Sequence, residues 1–319
     1  GVFFVYAIIP SMTYDLIIIG GGPAGTSAAV YAARKQLKTM LIAEEFGGQS
    51  VVSEKIYNWI GTPEISGSDL AKSLKSHVDY YVGEFLQTSA GERVEKLEKS
   101  GNFFKVMTSS GNSYDTRAVL IASGSGRRKL DSKIPGADAL EHKGLTYCAS
   151  CDGPIFSGQD VAVLGGGNAA LETAAQLLAY CSSVTIIQRS AEFRADEITV
   201  EKVLANPKAK AIMNAEITAI LGDKFVSGLK YKVDGVETEL SVKGIFVEIG
   251  QIPNTGFAEG VVEMNQYKQV KTDPRTQMTN VPGIWAAGDC ADVLYHQNNI
   301  AAGDAVRALE DIYMWLHKQ

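Results

Sequence analysis

The stretch 14–44, YDLIIIGGGPAGTSAAVYAARKQLKTMLIAE, decides the fold. It opens with an apolar, β-branched run, passes through a glycine turn, continues as an Ala-rich segment of helical composition and ends in a second apolar run. That order reads as strand, helix and parallel strand. A second stretch, 161–189, VAVLGGGNAALETAAQLLAYCSSVTIIQR, repeats the order over nearly the same length. Two copies of such a unit predict an α/β chain with two three-layered folds of the Rossmann-like, dinucleotide-binding kind.

Between the copies, FFKVMTSS (103–110) and RAVLIASGSG (117–126) read as β-structure closing the first domain, and GSGRRKLDSK (124–133) as a polar hinge. From about Gly256 the chain is turn-rich, then runs through VPGIWAAGDC (281–290) into a helical end, IAAGDAVRALEDIYMWLHKQ. That tail needs a core already built, so it is assigned to the first domain and the second becomes an insertion. The expected boundaries are 1–125 and 255–319 for the first domain and 126–254 for the inserted one.

Composition sets outer limits. A chain of 319 residues exceeds one ordinary core, and 45% hydrophobic with 21% charged residues suits a folded, soluble protein. A net charge of −6 gives no general attraction for nucleic acid. Residues 1–11, GVFFVYAIIPS, are apolar but too short for a membrane span and lack a basic start, so they read as an appended extension. Four cysteines in this length do not make a secreted disulfide framework, which points to the cytoplasm.

In the first glycine turn, Gly20, Gly22 and Gly25 surround Pro23 and Ala24. Glycine there allows a tight turn, lets backbone approach a pyrophosphate and lets helix and strand pack closely, while the helix N-terminus faces the anion. Glu44 closes the next strand where a carboxylate accepts hydrogen bonds from a ribose diol. The bland alternative is a tight turn with a solvated Glu. In the second turn Gly165, Gly167, Asn168, Ala169 and Ala170 form the same device, but its next strand ends in Gln188, Arg189 and Ser190, followed by Arg194. Cationic forks suit the extra phosphate of NADPH better than the bare diol of NADH. Two arginines on a solvated loop would read the same way.

Cys148 and Cys151, in CASCDGP, are spaced to close a disulfide, and a helix starting there would favour thiolate by its backbone N–H groups. Asp152 is placed either to shuttle a proton or as a turn carboxylate. Half a zinc site and plain buried cysteines are the competing readings. Cys181 and Cys290 stand alone in apolar surroundings and read as small buried hydrophobes. His77, His142, His296 and His317 show no metal spacing, so no metal site is expected, and only His296 lies near another motif.

GGGPAG, CASCDG, GGGNAA and AAGDC in that order resemble the low-molecular-weight thioredoxin reductases of bacteria and archaea, over nearly the whole chain from Tyr14. The resemblance implies FAD on the first fold, beside Gly47, Gly48, Gln49, Asn58, Ser123, Gly124, Gly288, Asp289 and Gln297, with His296 next to them. It implies NADPH on the second fold, a redox disulfide of Cys148 with Cys151, a thioredoxin or thioredoxin-like partner, a homodimer, and a turning of one domain against the other. Cys151 is implied to lie nearer the flavin. Three positions depart from the family: Gln188 and Ser190 in Gln188-Arg189-Ser190, which replaces His-Arg-Arg, and His296, which stands where an Arg is common. The rival expectations are the same fold with another donor (NADH, ferredoxin or a second flavin), and a flavin-binding redox sensor.

Overall fold

The structure, a computed structural model, describes residues 13–53 and 56–318, with the side chains of residues 150 and 151 excepted. The segment 1–11, read above as an extension, lies outside the described residues. The first part of the chain gives β1 (Tyr14–Gly21), α1 (Pro23–Arg34), β2 (Thr39–Phe46), α2 (Gly67–Tyr81), β3 (Leu86–Ala90), β4 (Val94–Ser100), β5 (Phe103–Thr108) and β6 (Ser113–Ile121). After β7 (Ser125–Arg127) come β8 (Leu145–Thr146), α3 (Ala149–Asp152), β9 (Asp160–Leu164), α4 (Asn168–Leu178), β10 (Ser183–Ile187), α5 (Glu197–Leu204) and β11 (Ala209–Ile212). Then follow β12 (Glu216–Gly222), β13 (Val226–Val233), β14 (Val236–Ser241), β15 (Gly244–Val247), β16 (Gln251–Pro253), β17 (Ile284–Ala286) and α6 (Asn298–Leu316).

Two compact units result: one runs to Gly126 and resumes at Pro253, the other is Arg127–Ile252. The stretch read as a polar hinge is strand at its start, because β7 pairs with the returning β16. Two extended crossings side by side satisfy backbone groups that a lone crossing would leave without partners.

In the first unit the sheet runs β3-β2-β1-β6-β5-β4, with β17 also on β6. β1, β2, β3, β6 and β17 are parallel, whereas β4 and β5 turn back as an antiparallel meander. The DLIIIG run supplies both faces of β1, as a central parallel strand requires. Leu16 and Ile18 pack with α1 and α6, and Ile17 and Ile19 pack on the other side with Val94, Leu97, Phe104 and Val106. The Ala-rich composition of α1 has a packing purpose: Ala24, Ala28, Ala29, Ala32 and Ala33 are all buried, so the helix lies close against sheet and α6. Pro23 at the start of α1 suits its fixed φ and missing N–H. Ser66 caps α2 by accepting from the Asp69 amide at 3.1 Å, worth about 1 kcal/mol.

The second unit repeats the plan with all strands parallel in the order β11-β10-β9-β15-β8. Val161 and Val163 face α4 through Leu171, Ala174 and Leu177, and Ala162 and Leu164 face the antiparallel sheet β12-β13-β14 through Ile220, Val226 and Leu229. That meander, absent from the sequence reading, covers the sheet face that would otherwise expose apolar residues. In both units the first strand of the repeat lies between the next strand and a later one, so chain order reverses beside its carboxyl end. Crevices for ligands form at such reversals.

Candidate functional site

In the first unit the carboxyl ends of β1, β6 and β17 bring three predicted segments together. The Ala122 amide donates to Ile19 O and the Ala287 amide to Ile121 O, both at 2.9 Å, which sets the glycine turn, Ser123-Gly124 and Gly288-Asp289 side by side. Gly20 has φ +119°, and a Cβ on it would lie 2.2 Å from Ala122 O. A Cβ on Gly25 would lie 1.8 Å from Gly20 O, so no larger residue fits that first helical turn. Gly22 differs: it is the extended N-cap of α1, and its nearest neighbour at the Cβ position is the Gly48 α-carbon at 3.7 Å. No side chain caps the first amides of α1, so these donors remain for an anion.

Around this turn, residues in 47–53 and 56–60 are stitched to neighbouring segments, among them the start of α6. The Gly47 amide donates to Gly21 O at 2.9 Å, and Gln49 Nε2 to Ser125 O at 2.9 Å. Ser50 Oγ donates to Asn298 Oδ1 at 2.8 Å, Asn58 Nδ2 to Gln297 Oε1 at 3.0 Å, and Asn299 Nδ2 to Asn58 O at 2.6 Å. Gln49 is therefore tied to Ser125, Ser50 to Asn298, and Asn58 to both Gln297 and Asn299; of these the sequence reading missed Ser50, Asn298 and Asn299. The run Gln297-Asn298-Asn299 at a helix start was the available signal. Glu44 is exposed at the end of β2. His296 Nδ1 lies 3.3 Å from Asp289 Oδ1, and that hydrogen bond holds the imidazole above its ordinary range, with burial opposing.

In the second unit Gly165 has φ +139°, and a Cβ there would meet Glu248 O at 2.1 Å. Gly167 is the extended N-cap of α4, again with no side-chain cap, and nothing lies within 4 Å of its Cβ position. Arg189 and Arg194 are exposed on the loop after β10, and neither is ion-paired among the described residues. That loop is docked on the glycine turn: the Arg194 amide donates to Gly166 O at 2.7 Å and the Asp196 amide to Asn168 Oδ1 at 2.8 Å. Gln188 is buried under it, donating from Nε2 to Glu192 O at 3.2 Å and accepting the Arg189 amide at 2.9 Å. Asn168 and Gln188 thus act as braces of the loop. Sequence reasoning also missed Glu248, whose Oε1 accepts from Arg127 Nη1 at 3.1 Å and Thr173 Oγ1 at 2.9 Å. Burial raises its carboxyl above the usual range, with Arg127 and Thr173 pulling the other way.

The cysteine motif lies where α3 starts. Cys148 is disulfide-bonded, and Cys181 and Cys290 are free. The Cys148 amide donates to Thr146 Oγ1 at 3.3 Å, the Thr146 hydroxyl donates to Asp152 Oδ2, and the Asp152 amide donates to Cys148 O at 3.1 Å. Asp152 is thereby fixed on the same turn as Cys148. Burial pushes the Cys181 thiol up to about 11 and raises Cys290 too, so neither is poised as a nucleophile. Among the described residues no group of three or more His, Cys, Asp or Glu could hold a metal, and no helix is long and apolar enough to cross a membrane.

A family model described as pyridine nucleotide-disulphide oxidoreductase matches residues 14–305. The F component of alkyl hydroperoxide reductase from Escherichia coli is 39% identical over 298 residues, covering 92% of this chain and 57% of that protein. A Bacillus subtilis protein named NADH dehydrogenase is 37% identical over 297 residues, with the same two coverages, 92% and 57%. The chain thus spans little more than half the length of these relatives. Among solved structures, thioredoxin reductase of Lactococcus lactis superposes with a TM-score of 0.88 at 32% identity, covering 96% of this chain and 100% of that one. Thioredoxin reductase of T. acidophilum gives 0.85 at 32% identity, covering 95% and 98%.

Proposed function

The chain belongs to the pyridine nucleotide-disulphide oxidoreductase family, and from that premise we propose that it transfers electrons from NADPH, with FAD as relay, to a disulfide of Cys148 with Cys151 and on to a thioredoxin-like protein disulfide. Membership makes it an oxidoreductase working with FAD and a pyridine nucleotide. The finer reading rests on Cys148, a disulfide-bonded sulfur at a helix start with a carboxylate tied to its own turn, in the unit that also carries the second glycine turn.

The residues of the first unit fit FAD. Uncapped amides at the start of α1 suit a pyrophosphate, and the open space at Gly22 lets it approach. Exposed Glu44 suits a ribose diol, and Asp289 with the amides of Gln49, Asn58 and Gln297 offers further hydrogen-bonding groups. Bound there, FAD supplies two-electron exchange between a hydride donor and a disulfide. The chain's own part is to hold the nucleotides at two helix N-termini, to keep the dithiol at the start of α3, and to hold a proton carrier, Asp152, beside it.

For the nucleotide, Arg189 and Arg194 support NADPH: both are exposed, without an ion pair among the described residues, on a loop docked to the glycine turn, and no carboxylate ends β10 to take a bare diol. NADH is the second reading, favoured by the relative named NADH dehydrogenase and by Ser190 in place of a further cation. The names of the superposed structures support a thioredoxin-like acceptor. The test is steady-state reduction of thioredoxin with each nucleotide. Many turnovers, faster with NADPH, are expected. A single stoichiometric turnover would mark a redox sensor instead, and equal rates with NADH would overturn the nucleotide choice.

A further inference from the structure

Three hydrogen bonds at the start of α3 make a closed ring: Cys148 N–H to Thr146 Oγ1, Thr146 O–H to Asp152 Oδ2, and Asp152 N–H to Cys148 O. Thr146 is its fixed member. It ends β8, paired in register with Phe246 of β15, it is 3% exposed, and its branched side chain has few rotamers. A hydroxyl has one proton and two lone pairs. Facing the ionised carboxylate, the hydroxyl gives its proton to Asp152 Oδ2 and a lone pair to the Cys148 amide, so Oδ2 is the tethered oxygen and Oδ1 is the one we assign to proton transfer.

Building on the thiol–disulfide role proposed above, we infer that Thr146 is a positioning residue: it orients Asp152 so that Oδ1 hands a proton to the thiolate leaving a partner disulfide. In the step served, a thiolate of the reduced pair attacks the partner's S–S bond. A new S–S bond forms as the old one breaks, the electron pair of the broken bond goes to the departing sulfur, and that sulfur takes the proton from Asp152 Oδ1. Solvent then reprotonates the carboxylate. No further oxidant or reductant is involved.

Leaving groups separate this role from a packing role. An alkyl thiolate is a poor leaving group that gains from protonation, whereas an aryl thiolate of low pKa leaves as the anion. The full-length protein, reduced chemically so that no nucleotide is needed, is mixed with hydroxyethyl disulfide or with dithiobis(nitrobenzoate), and single-turnover rates are compared. Thr146→Val keeps shape and strand preference but lacks the hydroxyl. It should slow the alkyl reaction about tenfold or more, the loss expected for a hydrogen bond to a charged group, and leave the aryl reaction within about twofold. Thr146→Ser should restore the alkyl rate. Equal slowing with both disulfides, no slowing with either, or a Ser variant as slow as Val overturns the inference. If these rates come out as expected but NADPH and NADH both fail to reduce the wild-type disulfide, the proposed function fails while the role of Thr146 stands.

Discussion

Gly22→Ala is the substitution that separates what the first glycine turn does for the fold from what it does for a ligand. A Cβ there meets only the Gly48 backbone, its α-carbon at 3.7 Å and its nitrogen at 4.0 Å, which is ordinary contact, and the backbone is already extended at φ −77°. The folded apoprotein should lose about 1 kcal/mol or less, the difference between Gly and Ala as helix N-caps. The pyrophosphate, however, would meet a methyl group in the approach to the first amides of α1. Crowding of that kind costs about 1–3 kcal/mol, so FAD affinity should fall roughly fivefold to a hundredfold. Gly25→Ala is the counterpart. Its Cβ would lie 1.8 Å from Gly20 O, so backbone must move and the apoprotein itself should lose about 2 kcal/mol or more. Fluorescence titration of apoprotein with FAD reads affinity, and urea unfolding followed by circular dichroism reads stability. Wild-type FAD affinity in Gly22→Ala, or wild-type stability in Gly25→Ala, would refute the reasoning.

The other expectations concern the second unit and the tail. Arg189→Ala and Arg194→Ala should each raise KM for NADPH about tenfold and leave KM for NADH nearly unchanged, since only the former carries the phosphate; equal losses would assign both arginines to the fold. Gln188→Ala removes the brace of the Arg189 loop, so its KM for NADPH should rise as well, with the flavin content unaltered in the purified protein. Because Asp289 raises the pKa of His296, their pair stabilises the fold fully below the ordinary histidine range and is lost as pH rises through the raised pKa. The urea midpoint of wild type minus that of His296→Gln should therefore be largest near pH 6 and shrink toward pH 9, and a constant difference would refute the linkage.

What was readable in the chain follows from how sharply physics constrains each residue. The glycine turns were legible because positive φ at Gly20 and Gly165, and the approach of Gly25 to Gly20 O, admit no other residue. The parallel sheets were legible from apolar runs such as DLIIIG, buried on both faces. Thr146, Gln188 and Glu248 were not, because a Thr, Gln or Glu at a strand end has no pattern of its own, and its role depends on partners distant in sequence or on a turn not yet placed. Glu248, for example, meets Thr173 and Arg127 only once α4 and β7 have been brought to the end of β15. The β12–β14 meander escaped for a related reason: β14 is almost wholly exposed, so VETELS carries no buried alternation to announce a strand.

The central claim, that electrons pass from a nicotinamide nucleotide to a disulfide that includes Cys148, is tested most directly by counting electrons. Flavin-loaded wild type and Cys148→Ser are titrated anaerobically with NADPH and, separately, with NADH, following the flavin absorbance to full bleaching. The account predicts that wild type takes up one hydride equivalent per chain more than Cys148→Ser before bleaching is complete, because its disulfide fills as well as its flavin. Identical uptake by the two proteins would contradict it.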